Sequence, residues 1–323
     1  MLELNLDQIK RCLDFHDAVN RITDAYTKSS LNEVQTGEVV HLAFEESRGD
    51  CHIKSGHING TENFVVKIAS GFYDNPSKGL PSSNGMMLAF SATTGAAVAI
   101  LKDEGWLTDL RTGIGGAIAT RTLAASGENE ALIIGTGIQA RMQATCLAEL
   151  DAEREMSFSI WGRDQAKAET LAGELSDQGI KAASVGDLEQ AVRSARIIIT
   201  TTPSAEALFE VDWVQPGTHV TAMGADSPGK QELPVELVHK ADLRVCDMAR
   251  QSLQHGEFQH AASENPDLDA IELGQVLSGS HPGRSSDDAI TIADLTGIAA
   301  QDIAITQAVI DSVQSNSNQK DQS

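Results

Sequence analysis

The stretch Ala131–Ala144, ALIIGTGIQARMQA, constrains this 323-residue chain more than any other. An apolar run of strand type leads into Gly135 and Gly137, and a helix-like segment follows. A strand, a glycine turn and a helix in that order open a dinucleotide-binding βα unit. Gly135 allows the tight turn. Gly137 lets the backbone approach a pyrophosphate, and Ala140 takes the small position where the helix must pack on the strand. The first N–H groups of the helix then face phosphate. The competing reading is a glycine turn in an α/β domain that binds no nucleotide.

The surroundings fit the first reading. After residue 125, short strand-like runs (ALIIGTG, SFSIWGR, IKAASVG, RIIITTTP, HVTAMGA, LRVCDM) alternate with helical stretches such as IQARMQATCLAEL and DQAKAETLAGEL. That alternation predicts a doubly wound parallel sheet of Rossmann type over 126–298. The second strand ends in WGRD, where a ribose-reading residue belongs. Arg163 leans toward a 2′-phosphate and Asp164 toward a free ribose hydroxyl, so NAD(H) and NADP(H) both stay open. The run Thr200–Pro203, TTTP, puts hydroxyls, Thr201 among them, at the carboxyl edge of the sheet.

Residues 1–125 read differently. DQIKRCLDFHDAVNRITDAYTKS has helical periodicity, with Ile9, Leu13, Ala18, Val19, Ile22 and Ala25 on one face. The runs VVHLAF, CHIKSGHI, FVVKIAS, GMMLAFSATTG and AVAILKD then follow as strands with no helices between them. They predict an antiparallel or mixed sheet, the α+β part of an α/β chain. LRTGIGGAIATRTLA is helical despite its glycines. A last apolar-faced helix, TGIAAQDIAITQAVIDSV, precedes a polar tail, QSNSNQKDQS, expected to fray.

Composition excludes several classes. The formal net charge of -22 opposes nucleic acid and anionic membrane surfaces, which call for clustered Lys and Arg. The first residues, MLELNLDQIKRCLDFHDAV, carry charges throughout, so no secretory signal is expected, and no apolar run is long enough to span a membrane. Four scattered cysteines form no CxxC pair, which points to reduced thiols in a cytoplasm. No metal site is expected: His52 and His57 lack helical spacing with a second acid, and HExxH is absent.

Four residues stand out chemically. Arg111, in LTDLRT, can grip a carboxylate through paired donors; it can equally make a structural ion pair or touch a cofactor phosphate. Thr112 after it can cap the following helix or contact the cofactor. Lys67 interrupts an apolar strand, where a lysine either snorkels to solvent or is buried with a partner. Asp226, in MGADSPGK, follows a Rossmann strand and suits an Asx turn as well as a cleft.

Together these segments resemble the ornithine cyclodeaminase/mu-crystallin family. The matching phrases are VVKIASGFYDNPSKGLPSSNG, TGAAVAILKDEGWLTDLRTG, IIGTGIQARMQA, TTTP, HVTAMGADSPGKQEL and DLTGIAAQDIAI, in the family's order. Gln139 in the glycine turn and the LTxxRT phrase are specific to it. The IKSGHI and ASGFYDNPSKGLPS wording is nearest to cyclodeaminase-like proteins of ectoine-utilisation clusters. The resemblance implies a substrate-binding and dimerisation domain over 1–125, a Rossmann domain over 126–298, and a C-terminal segment 299–323 returning to the first domain. It also implies a homodimer with a cleft active site, and a small amino- or imino-acid substrate handled by NAD(P)-dependent hydride transfer through an imine. The leading expectation is a cyclodeaminase-type reaction. The alternatives are an imine reductase or amino-acid dehydrogenase, and a non-catalytic ligand-binding protein like mu-crystallin. The resemblance makes Lys67 and Asp226 catalytic and Arg111 substrate-binding. It places Gly135, Gly137, Gln139, Ala140, Arg163, Asp164, Thr201 and Thr112 at the cofactor. By spacing, His41 falls where ornithine cyclodeaminases carry a second substrate-binding Arg, while Lys54 brings a cation where those enzymes have an apolar residue. Both are candidate substrate ligands, and His57 is read as structural.

Overall fold

One cap starts the first periodic stretch and a second cuts it. Asn5 accepts from the backbone N–H of Gln8 in a capping box, and Asp14 accepts from the N–H of Asp17 at 2.7 Å. One expected helix is therefore two, because each cap residue offers the backbone a better partner than helix continuation does. The computed structural model describes residues 1–72 and 74–320; the side chains of Pro76 and of 316–320 are outside that description, as are Tyr73 of the GFYDNPSK phrase and residues 321–323.

In chain order the elements are β1 (Leu2–Asn5), α1 (Leu6–Cys12), α2 (Phe15–Ser30), β2 (Val34–Thr36), β3 (Val40–Phe44), β4 (Gly49–Ile58), β5 (Asn63–Phe72), β6 (Ser83–Ser91), β7 (Ala97–Lys102) and α3 (Trp106–Leu123). Then follow β8 (Glu130–Ile134), α4 (Ile138–Leu150), β9 (Ser157–Trp161), α5 (Gln165–Asp177), β10 (Lys181–Ser184), α6 (Leu188–Ser194), β11 (Ile197–Thr200) and β12 (His219–Ala222). The chain continues through α7 (Val235–Lys240), β13 (Leu243–Cys246), α8 (Ala249–His255), α9 (Gln259–Glu264), β14 (Ile271–Glu272), α10 (Leu273–Leu277), β15 (Thr291–Asp294) and α11 (Ala299–Lys320). The segment expected to fray is helical as far as Lys320.

The chain forms two compact units, Met1–Arg111 with Ile298–Ser323, and Thr112–Gly297. The sequence reading ends the first segment at residue 125, whereas the unit boundary falls inside α3. In the first unit the strands run β1-β7-β6-β5-β4-β2, with β3 also paired to β4. Among the described residues only β1 and β7 pair in parallel in this sheet; β2, β3, β4, β5, β6 and β7 pair antiparallel. α11 packs on α2, β4 and β5. α2 turns Ala18, Val19, Ile22, Ala25 and Tyr26 inward, the face its periodicity announces.

The second unit is a parallel sheet in the order β10-β9-β8-β11-β12-β15-β13-β14. Its first five strands have the mononucleotide-binding arrangement 3-2-1-4-5, so the strand order reverses between β8 and β11. β11, β12 and β15 are buried along their whole length, as strands covered on both faces must be. The glycine turn and the TTTP run leave adjacent strands at the reversal, which is where open α/β sheets bind ligands. All four cysteines are free thiols, and no described helix is long and apolar enough to cross a membrane.

Candidate functional site

The first unit holds a buried charge cluster. Lys67 follows Asn63 and Val65 on the inward face of β5 and is 2% exposed. An ammonium there is unfavourable without a partner, and the first turns of α11 supply one. Nζ of Lys67 lies 3.0 Å from Oδ2 of Asp302 and 3.2 Å from Oδ1. Nε of Arg111 lies 3.0 Å from Oδ1 of the same carboxylate. Nη1 of Arg111 donates to Oε1 of Gln301 at 3.2 Å, and Gln301 donates back to the backbone oxygen of Arg111 at 3.1 Å. Two consecutive helix residues thus fix the orientation of the guanidinium. Lys54 stands opposite Lys67 in the β4–β5 register.

Burial, and then the charge of Arg111, push the Lys67 ammonium down to about 7; Asp302 opposes this without cancelling it. For Asp302 burial works against ionisation, but Lys67, Arg111 and Lys54 outweigh it and hold the carboxyl below its ordinary range. Asp103, also buried, goes the other way: burial pushes its carboxyl up, against the N–H of Leu107 and the charge of Lys67. One ionised acid therefore serves two cations with a third nearby. That arrangement suits an incoming carboxylate.

The second unit holds a groove of about 800 Å³ lined by Gly135, Gly137, Trp161, Arg163, Asp164 and Thr201, among others. Gly135 has φ +140°, and a Cβ there would lie 2.2 Å from Oγ1 of Thr201. The turn itself demands glycine at that position. Gly137 is different. Its φ of -85° suits any residue, and a Cβ would meet no protein atom within 4 Å. No described residue requires glycine there, whereas the close approach of a pyrophosphate to the start of α4 does. Ala140 is fully buried one turn along, as the third small position requires. The groove thus fits a nicotinamide dinucleotide. Asp164 caps α5, its Oδ1 accepting from the N–H groups of Ala166 and Lys167. Arg163 is exposed beside it, and Lys167 adds a second cation to the lining.

Glu232, absent from the sequence-based candidates, ties the edge of this sheet together. Oε2 accepts from Oγ1 of Thr200 and from the N–H of Gly224, both at 2.7 Å. Oε1 accepts from the N–H of Thr202 at 2.5 Å and its hydroxyl at 2.9 Å. The loops after β11 and β12 are thereby fastened to each other. The second of these loops carries Asp226, which is exposed and accepts from Lys230 at 2.6 Å and from Ser227 at 2.9 Å.

The capping reading of Thr112 changes. Thr112 lies inside α3, which begins at Trp106, so it does not cap that helix; its carbonyl accepts from Gln143 at 3.1 Å. Gln139 is on the first turn of α4. His41 stacks on His52, its partner across β3 and β4. His57 bonds the carbonyl of Thr61 at 2.9 Å. Asp302 was missed although its signal, an acid within the apolar phrase AAQDIAI, is the one that singled out Lys67.

A dinucleotide-type groove in a parallel sheet, and a buried lysine–arginine–carboxylate cluster in a mixed one, define a two-unit chain of the nicotinamide-enzyme class. The chain belongs to the ornithine cyclodeaminase/mu-crystallin family, whose profile matches residues 4–317. It is 40% identical over 294 residues to an uncharacterized cyclodeaminase, y4tK, of Sinorhizobium fredii, covering 90% of this chain and 88% of that one. An archaeal alanine dehydrogenase dimer solved with bound NAD superposes with a TM-score of 0.87 at 32% identity, over 98% of this chain and 97% of that one. The Thermococcus litoralis Δ1-pyrroline-2-carboxylate reductase, solved with NADH and L-proline, gives a TM-score of 0.89 at 25% identity, over 98% of each chain.

The cluster makes a stability prediction. Asp302→Asn leaves Lys67 and Arg111 buried without a counter-charge and is expected to cost about 3–5 kcal/mol in denaturant unfolding. Adding Lys67→Met to that variant should restore part of the loss. Equal stability of wild type and Asp302→Asn would show that the carboxylate does not hold the cluster together.

Proposed function

We propose that this chain is an NAD(P)-dependent enzyme that moves a hydride at the amino- or imine-bearing carbon of a small α-amino acid, with net turnover of the nicotinamide. It is then an imine reductase or amino-acid dehydrogenase. The buried Lys67–Asp302–Arg111 cluster carries this reading. It combines a carboxylate-gripping guanidinium with an amine whose proton is exchangeable near neutral pH.

The groove between Gly135 and Thr201 would hold NAD(H) or NADP(H), with the helix start of α4 at the pyrophosphate and Arg163 and Lys167 available to a 2′-phosphate. When bound, the nicotinamide supplies or takes up the hydride. Arg111, fixed by Gln301 and Asp302, orients the substrate carboxylate. Lys67 gives a proton to the reacting nitrogen in the reductive direction and removes one in the oxidative direction. Asp226 is the second acid in the proposal, meeting the substrate amine. Lys230 already neutralises Asp226, and Lys67 and Arg111 already neutralise Asp302. A substrate with one amino group therefore fits better than a diamine. The same reading includes a homodimer: β3 exposes Val40, Leu42 and Phe44, apolar surface that a second copy would cover. Placement in the cytoplasm accords with the four free thiols.

The relative named as a cyclodeaminase favours a second reading, in which the hydride is returned and ammonia released. Amino acids, diamino acids and cyclic imino acids incubated with each nicotinamide separate the two. The proposal expects a net change in reduced-cofactor absorbance. Ammonia without such a change establishes cyclodeamination instead, and neither signal with any substrate removes the enzymatic reading.

The pH dependence follows from Lys67. Imine reduction needs the protonated amine, so its rate should fall as pH rises through about 7, while amino-acid oxidation should rise through the same range. Lys67→Met should abolish that limb in both directions; its persistence would assign the limb to another group.

A further inference from the structure

The β3–β4 hairpin carries a second convergence of side chains. His41 on β3 and His52 on β4 are direct cross-strand partners, so their side chains leave the same face of the sheet. Asp50 precedes His52 by two residues on β4 and shares that face. The two imidazole rings stack with centroids 4.5 Å apart and planes 28° from parallel. Nε2 of His52 stands 3.9 Å from Oδ1 of Asp50. One ligating atom from each of the three residues lies within 4.8 Å of the other two.

We propose that His41, His52 and Asp50 form a site for a divalent transition-metal ion of the zinc class, which pins β3 to β4. Two imidazole nitrogens and one carboxylate oxygen form a borderline-soft ligand set. Calcium and magnesium, by contrast, select oxygen alone. In a tetrahedral zinc site, bonds of about 2.0 Å put neighbouring donors about 3.3 Å apart. The ladder sends the three side chains from one face, so rotation of those side chains is the movement that would bring the present spacing toward that value. His52 and Asp50 are about one-quarter exposed, with side-chain values of 29% and 26%, so an ion can enter and a water can complete the shell. The surplus negative charge of the chain, -22, draws cations to its surface. Helical ligand spacing does not reveal this site, since the ligands sit on two strands and meet only through the register. The proposal is independent of the hydride chemistry.

The test is a calorimetric Zn²⁺ titration of the full-length protein after chelator treatment, with thermal unfolding measured alongside. The expected result is one ion per chain bound with an affinity on the order of micromolar or tighter, and a raised Tm. His41→Gln and His52→Gln should each weaken binding by about tenfold or more. His16→Gln, at an exposed histidine on α2, should leave it unchanged. Should either histidine variant fail to fold, Asp50→Asn takes its place with the same expectation. Absence of stoichiometric binding, or equal affinity in the wild type and these variants, overturns the proposal.

Discussion

One buried carboxylate, Asp302, is the interaction on which the first unit's chemistry depends. It joins β5, through Lys67, to α3, through Arg111, from the start of the C-terminal helix. Without it two cations would be buried in an apolar sheet–helix interface and lose the carboxylate that both of them contact. Its presence leaves Lys67 charged or neutral by a narrow margin, because burial and Arg111 act in one direction and Asp302 in the other. That balance turns a structural ion pair into a group able to exchange a proton near neutrality.

The second unit solves a different problem. A parallel sheet leaves its carboxyl ends open, and the strand reversal there creates a groove that loops must border without collapsing into it. Glu232 does this by accepting from both the β11 and the β12 loops, while Glu257 accepts from the backbone N–H groups of Glu232 and Leu233. Burial pushes both carboxyls up; the donors around each pull the other way. The polar groups at this edge are thus held by protein, which leaves the Gly135–Gly137 turn to face the groove.

Much of the Rossmann unit was legible, because a strand, glycine turn and helix have local signatures that survive without tertiary information. Gly135 and Ala140 fall where those signatures place them. Lys67 was legible for the same local reason, being a charge in an apolar strand. What sequence could not supply was the partner: Asp302 is 235 residues away, and only folding brings α11 onto β5. The break at Leu13 and Asp14 was missed because hydrophobic periodicity runs through it while capping decides it. The capping reading of Thr112 failed because α3 starts earlier than the phrase LRTGIGG suggests, at Trp106. The pairing of His41 with His52 depends on strand register, which spacing along one strand does not encode.

The most direct measurement is an NMR titration of the Lys67 side chain in protein carrying ¹³C-labelled lysine, with Lys67→Met identifying its resonance. The account requires a midpoint near the value set by burial and Arg111, about 7. A midpoint close to that of a solvated lysine, about 10.4, would contradict it.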